Sequence, residues 1–201
     1  MVKVFSISTK ARKMSVPAFE QYITDELVAS VMETIEHSLV SGTGETGQGA
    51  GIETIEFSEA NNNLVELSAT PAYTDFTKAL ALLKRGYSNG AKFAMNNATL
   101  YNVVYSIVDM NKRPIFIADP KAESIGMILG TPVIIDDNIA DNEIYLGNFN
   151  YLGYNLPEGI TVEVSTESSF KSNLIDFKAT ALADTKVILS EAFVKLAVAE
   201  G

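Results

Sequence analysis

The sequence predicts an α+β fold, and three observations carry that prediction. An apolar stripe at helical spacing runs from Thr24 to Ser41, and a two-residue alternation runs from Leu174 to Ala183. The remaining helices and strands intermix without a regular βαβ repeat, which argues against a doubly wound sheet. At 201 residues the chain has room for one large domain or two small ones.

Each element has its own justification. Val2 to Met14 alternates, with Phe5, Ile7 and Thr9 on one side and Ser6, Ser8, Lys10 and Arg12 on the other, as in a half-buried strand. Pro17 breaks the alternation and suits the first turn of a helix. Leu27, Val28, Val31, Met32, Ile35 and Leu39 then recur at helical spacing. They predict one long helix from about residue 24 to 41, with Thr24 as its cap and Asp25 and Glu26 at the positive end of the dipole. Ser41-Gly42 stops it.

The glycine stretch SGTGETGQGAG follows, then a short strand at 52–57 and a turn at 60–63. A helix over 73–84 directs Phe76, Leu80 and Leu83 inward. A strand at 91–95 runs into Asn96-Asn97, which caps a third helix bearing Leu100, Val103, Val104, Ile107 and Val108 on one face. Lys112-Arg113-Pro114 ends that helix. The rest is mostly strand, at 132–135, 143–146, 161–164, 174–183 and 193–198.

Composition narrows the function classes. The net charge is −10 and the pI about 4.6, a field that repels phosphate backbones and argues against general nucleic-acid binding. No apolar run reaches the ~18 residues of a membrane span. Residues 1–13 carry no apolar segment of the secretory type. The absence of cysteine excludes disulfides and thiolate metal sites. The charge is unevenly placed: Lys3, Lys10, Arg12 and Lys13 fall in an acid-free stretch of 13 residues, so all 25 acids share the remainder with 11 bases. Two readings stand side by side, a basic arm for the acidic body of a neighbouring copy and a solvated strand edge guarded by lysines.

Gly42, Gly44 and Gly47 match the spacing G-x-G-x-x-G. The dinucleotide fingerprint requires a strand before it and a helix after it, whereas here a helix precedes and a strand is expected to follow. No Gly-Lys-Ser/Thr ending supplies a phosphate loop, so a plain connecting loop is predicted and no cofactor is expected. The acidic turn Asp136-Asp137-Asn138-Ile139-Ala140-Asp141 fails the calcium-loop pattern, because Ala140 stands at its fifth position and Asp141 where glycine belongs. His37, the single histidine, lies off the apolar stripe and no G-x-S-x-G serine accompanies it. No catalytic, cofactor-binding or metal residue is assigned.

Four segments taken in order carry a resemblance. They are the long helix ending in the glycine loop with Gly51-Ile52, then AKFAMNNATLYNVVYSIVDMNKRPIF, then ILGTPVIIDDNI, and last FKSNLIDFKATALADTKVILSEAFVKLAV. Their order and spacing resemble the major capsid proteins of tailed bacteriophages, with the Hong Kong 97-type fold, over about residues 13–198. The resemblance implies a peripheral domain of 13–68 plus 166–201 and an axial domain of 69–165. The 24–41 helix would be its spine, packed on an antiparallel sheet. Residues 1–13 would be the returning strand of an extended loop that reaches a neighbouring subunit. The family's N-terminal arm and outgoing loop strand have no counterpart before Met1, so the resemblance covers a shortened version of the fold.

The resemblance further implies a non-catalytic icosahedral shell subunit that assembles from pentamers and hexamers of itself. Its DNA would be enclosed without specific binding, and portal and scaffold proteins would be further partners. It would reside in the virion, after assembly in the host cytoplasm. Lys3, Lys10, Arg12, Lys13 and Asn173 become the expected inter-subunit contacts. Some members join subunits through a lysine–asparagine isopeptide bond, and Asn173 stands where such an asparagine could lie, with Lys10 or Lys13 opposite. That reaction needs a carboxylate in an apolar pocket, and only Asp176 and Asp184 precede Glu191 in the strand after Asn173, so non-covalent contact is the expectation. The rival readings are an encapsulin-like nanocompartment shell, a nucleotide-binding enzyme using Gly42–Gly51, and a small-ligand or protein-binding α+β module.

Overall fold

The computed structural model describes residues 1–14, 17–67, 71–118 and 125–198. Strand β1 (Val2–Ser8) leads into helices α1 (Thr9–Met14) and α2 (Pro17–Ser41), then β2 (Leu64–Leu67). Helices α3 (Tyr73–Leu82) and α4 (Arg85–Ser88) precede β3 (Lys92–Met95) and α5 (Asn97–Asn102). The strands β4 (Phe116–Ala118), β5 (Gly126–Ile128), β6 (Thr131–Ile135), β7 (Glu143–Gly147) and β8 (Leu152–Asn155) follow. The chain closes with β9 (Ile160–Ser165), β10 (Leu174–Ala181), β11 (Asp184–Val187) and β12 (Phe193–Val198). Two compact units result, one of residues 1–51 with 154–186 and one of 52–153 with 187–201.

In the first unit, α2 lies on an antiparallel sheet of order β1-β10-β9. Ile23, Leu27, Val31 and Ile35 recur every four residues on one face of α2 and are buried. Against them β10 presents Ile175, Phe177, Ala179 and Ala181, every second residue, with Ile7 of β1 alongside. A helix in isolation is marginal, whereas each such apolar side chain contributes roughly 1.5–3 kcal/mol on burial, so packing is what fixes α2.

In the second unit, a mixed seven-stranded sheet of order β2-β12-β7-β3-β6-β5-β4 packs beneath α3 and α5. Phe76, Phe93, Leu100, Ile128 and Leu196 form its dry centre, with the Phe76 and Phe93 rings 5.8 Å apart. β8 and β11 make a separate two-stranded ribbon. Asn96 positions α5. Its side-chain oxygen accepts the Thr99 N–H at 2.7 Å, and its amide donates to Ile139 O at 3.0 Å and Asp141 Oδ1 at 2.6 Å. Asn96→Ala removes a cap and leaves buried groups unpaired, so a loss of about 2 kcal/mol is expected in denaturant unfolding.

Several elements differ from the sequence reading. α2 starts at Pro17, seven residues before Thr24, and Thr24 Oγ1 donates back to Glu20 O at 3.0 Å inside the helix instead of capping it. The β1 strand stops at Ser8, whose hydroxyl accepts the Ala11 N–H at 3.1 Å and starts α1 where further strand was expected. Ile52–Thr54 is a 3-10 turn, and Ile52 and Ile55 are buried at its i, i+3 spacing, which a short apolar run does not distinguish from a strand. The third helix ends at Asn102. Val103 caps it at φ −103° with its N–H still donating to Thr99 O, Val104–Ser106 forms a 3-10 turn, and Val108 is exposed. Two adjacent β-branched residues there weaken the helix at that point. β10 ends at Ala181, with Leu182 exposed before β11 begins.

Candidate subunit interface

The basic N-terminal segment is divided between the edge strand β1 and helix α1. The Met1 ammonium donates to Ala181 O at 2.8 Å, and Val2 through Ser8 pair in register with Thr180 through Leu174. Lys3 lies half-buried opposite Ala179, and Lys10 is exposed on α1. Thr9 donates to Asn173 O twice, from its N–H at 3.1 Å and its hydroxyl at 3.0 Å. Lys10 follows the residue bonded to Asn173, and Asn173 takes a left-handed φ of 54° as the chain turns into β10. Arg12 and Lys13 belong to α1, and their side chains lie outside the described residues.

The hydrogen-bond parity follows from the two ends of the β1–β10 ladder. Met1 and Thr9 both bond to β10, so the odd residues face it and Val2, Val4 and Ser6 turn their backbone groups outward. Among the described residues that outer edge is unpaired. The polar face is pinned by Asp176, whose carboxylate accepts Ser6 Oγ at 2.6 Å, Ser169 Oγ at 2.7 Å and Ser168 Oγ. The Ser168 and Ser6 hydroxyls hold the Asp176 carboxyl below its ordinary value. A depressed carboxyl favours the folded chain above the ordinary aspartate range and loses that contribution as pH falls through its folded value. Hydrogen exchange in β1 is thus expected to quicken on acidification, and less so in Asp176→Asn. Nothing in the sequence links Ser6 to Ser168 and Ser169, because the chain separation hides the register.

The glycine stretch is a small hairpin. Thr43 and Ala50 bridge, and the N–H groups of Gly42, Gly44, Gln48, Ala50 and Gly51 donate to Ser38, Gly49, Glu45, Thr185 and Gly42 carbonyls. Gly44 and Gly47 have φ of 73° and 85°. Its amides serve the turn, and a 3-10 turn follows in place of the helix a dinucleotide site requires. The acidic turn is likewise self-contained, with Asp136 Oδ1 accepting the Asn138 backbone N–H at 2.9 Å and its amide at 2.8 Å. His37 is exposed on α2.

A family model described as the Phage capsid family matches residues 2–198. The chain belongs to that family. It is a structural subunit of a capsid shell built from copies of itself, and its place is the virion capsid. Among curated proteins no sequence match is found. The capsid of an empty GTA particle matches at TM-score 0.80 and 20% identity, over 100% of this chain and 72% of that one. A chain of Gordonia phage Cozz matches at TM-score 0.68 and 14% identity, over 100% of this chain and 70% of that one. The holo-SrpI encapsulin complex from Synechococcus elongatus PCC 7942 matches at TM-score 0.69 and 16% identity, over 98% of this chain and 72% of that one. These likenesses establish a Hong Kong 97-type capsid fold, with the α2 helix on β10 in the position of the expected spine.

Proposed function

We propose that this capsid subunit docks its basic segment onto the acidic body of a neighbouring copy through Lys3, Lys10, Arg12 and Lys13, with Asn173 at the same contact. One observation carries the reading: an acid-free segment holding four cations runs from the edge strand β1, whose outer side is unpaired among the described residues, into α1, on a chain whose 25 acids all lie elsewhere. Opposite fields steer copies together and fix their register. The contact is non-covalent. The first compact unit serves as the peripheral domain and the second as the axial domain. The compact units divide at 51/52, 153/154 and 186/187, beside the expected 68/69 and 165/166, and the pairing of β2 with β12 supports grouping those two strands in the axial domain.

The subunit performs no catalysis. It assembles in the host cytoplasm, meets portal and scaffold proteins there, and encloses DNA without gripping it, since an acidic wall leaves phosphates free to enter and leave. Changing Lys3, Lys10, Arg12 and Lys13 together to Gln is expected to weaken association of copies at low salt and to flatten its salt dependence. Unchanged association would refute the docking, and micromolar DNA affinity in that variant would refute the ungripped interior. An encapsulin-like shell is the second reading, favoured by the likeness to the SrpI chain. Protein cargo purifying with the shell in place of nucleic acid would select it.

A further inference from the structure

The seven-stranded sheet ends in two unlike surfaces. At its β2 edge, the face away from α3 and α5 opens into a cleft of about 650 Å³ beside Phe57. Glu53, Glu66, Asp141 and Glu143 line it. Lys195 is its cation, and Glu143 takes that charge at 2.6 Å. Asp141 accepts only the neutral Asn96 amide, and Glu53 and Glu66 have no cationic partner among the described residues. Three carboxylates therefore stand without a counter-charge next to an aromatic wall.

At the opposite β4 edge the chain makes a tight turn closed by the Val108–Pro114 bridge. The Asp109 N–H donates to Arg113 O at 2.8 Å, and Asp109 Oδ1 accepts the N–H groups of Asn111 at 2.7 Å and Arg113 at 2.8 Å. The one acid of the turn is thus occupied in holding its shape. Met110 at the tip is fully exposed, and Lys112 and Arg113 make no ion pair among the described residues. Beside the turn, exposed Tyr101 stacks on Tyr105 at 5.0 Å, and Tyr105 packs on Phe116 of β4 at 4.8 Å.

We propose that the Val108–Pro114 turn of one copy seats in the acidic cleft of the next, with Lys112 and Arg113 against the Glu53, Glu66 and Asp141 carboxylates and Met110 against Phe57. The turn is already ordered, so seating it costs little conformational entropy. Because donor and acceptor surfaces lie at opposite edges of one sheet, the contact is head-to-tail and repeats from copy to copy, closing into a ring where the rotation allows. The inference rests on the shell-subunit function, since the occupant is a second copy.

The chain has no cysteine, so disulfide trapping is unambiguous. A Met110→Cys chain mixed with a Glu66→Cys chain is expected to form the mixed dimer on mild oxidation, and a chain carrying both is expected to form a ladder. Lys112→Glu with Arg113→Glu on the first chain should lower the mixed dimer about tenfold, and Glu53→Lys on the second should recover part of it. A yield no greater than that of a Ser88→Cys control, or capture of Lys3→Cys in place of Met110→Cys, overturns the proposal. The readout does not require complete shells, so its failure leaves the shell-subunit assignment standing.

Discussion

Phe177→Ala is expected to destabilise the first unit by about 3–5 kcal/mol, a large share of the stability of any domain of this size. Phe177 is 2% exposed, and it sits mid-strand in β10 within the cluster formed with Ile23, Leu27, Val31 and Ile35 of α2. Removing the ring leaves a cavity that a close-packed helix and a three-stranded sheet cannot collapse to fill. The effect should be confined in its first stage to α2, β1 and β10. Residue-resolved hydrogen exchange is the check: protection lost in those elements and kept in β3, β7 and β12 agrees with two separate cores. Uniform loss across both units would show that the division between them is wrong.

Gly49→Val is expected to cost about 3 kcal/mol or more, although glycine loops usually tolerate substitution. A Cβ at Gly49 would stand 2.0 Å from Thr185 Oγ1, 2.7 Å from Ser38 Oγ and 2.9 Å from the Thr185 N. Those hydroxyls bond each other at 2.9 Å, joining the end of α2 to the start of β11. The substituent must break that bond and push apart two backbone segments. Gly47→Ala is the matched control, because its Cβ meets open space and only its φ of 85° is strained, for about 1 kcal/mol. Urea midpoints followed by circular dichroism separate the two, and equal shifts would mean that the loop does not pack as described.

These substitutions also mark how far the sequence could be read. The α2 stripe and the β10 alternation were legible because each buries one face, and a buried face imposes its own period on the residues. Asn96 was legible as a cap because asparagine before Thr99 offers the backbone an oxygen at the right distance. The 52–57 segment was not, since its three apolar residues, Ile52, Ile55 and Phe57, are too few to separate a strand from a 3-10 turn. The short β4, β5, β8 and β11 strands escaped for the same reason: three or four residues hold too little pattern, and their pairing partners decide them. Among the interface residues, the charge of the first 13 residues was plain, whereas their division between an edge strand and α1 depended on where Asn173 ends the partner strand.

The central claim is that this chain is built to meet copies of itself, and negative-stain microscopy of the concentrated 201-residue chain tests it most directly. Rings, curved arrays or closed shells of repeated subunits are the predicted result, and they should thin out as salt is raised. A field of single compact particles at every concentration and ionic strength would contradict the account.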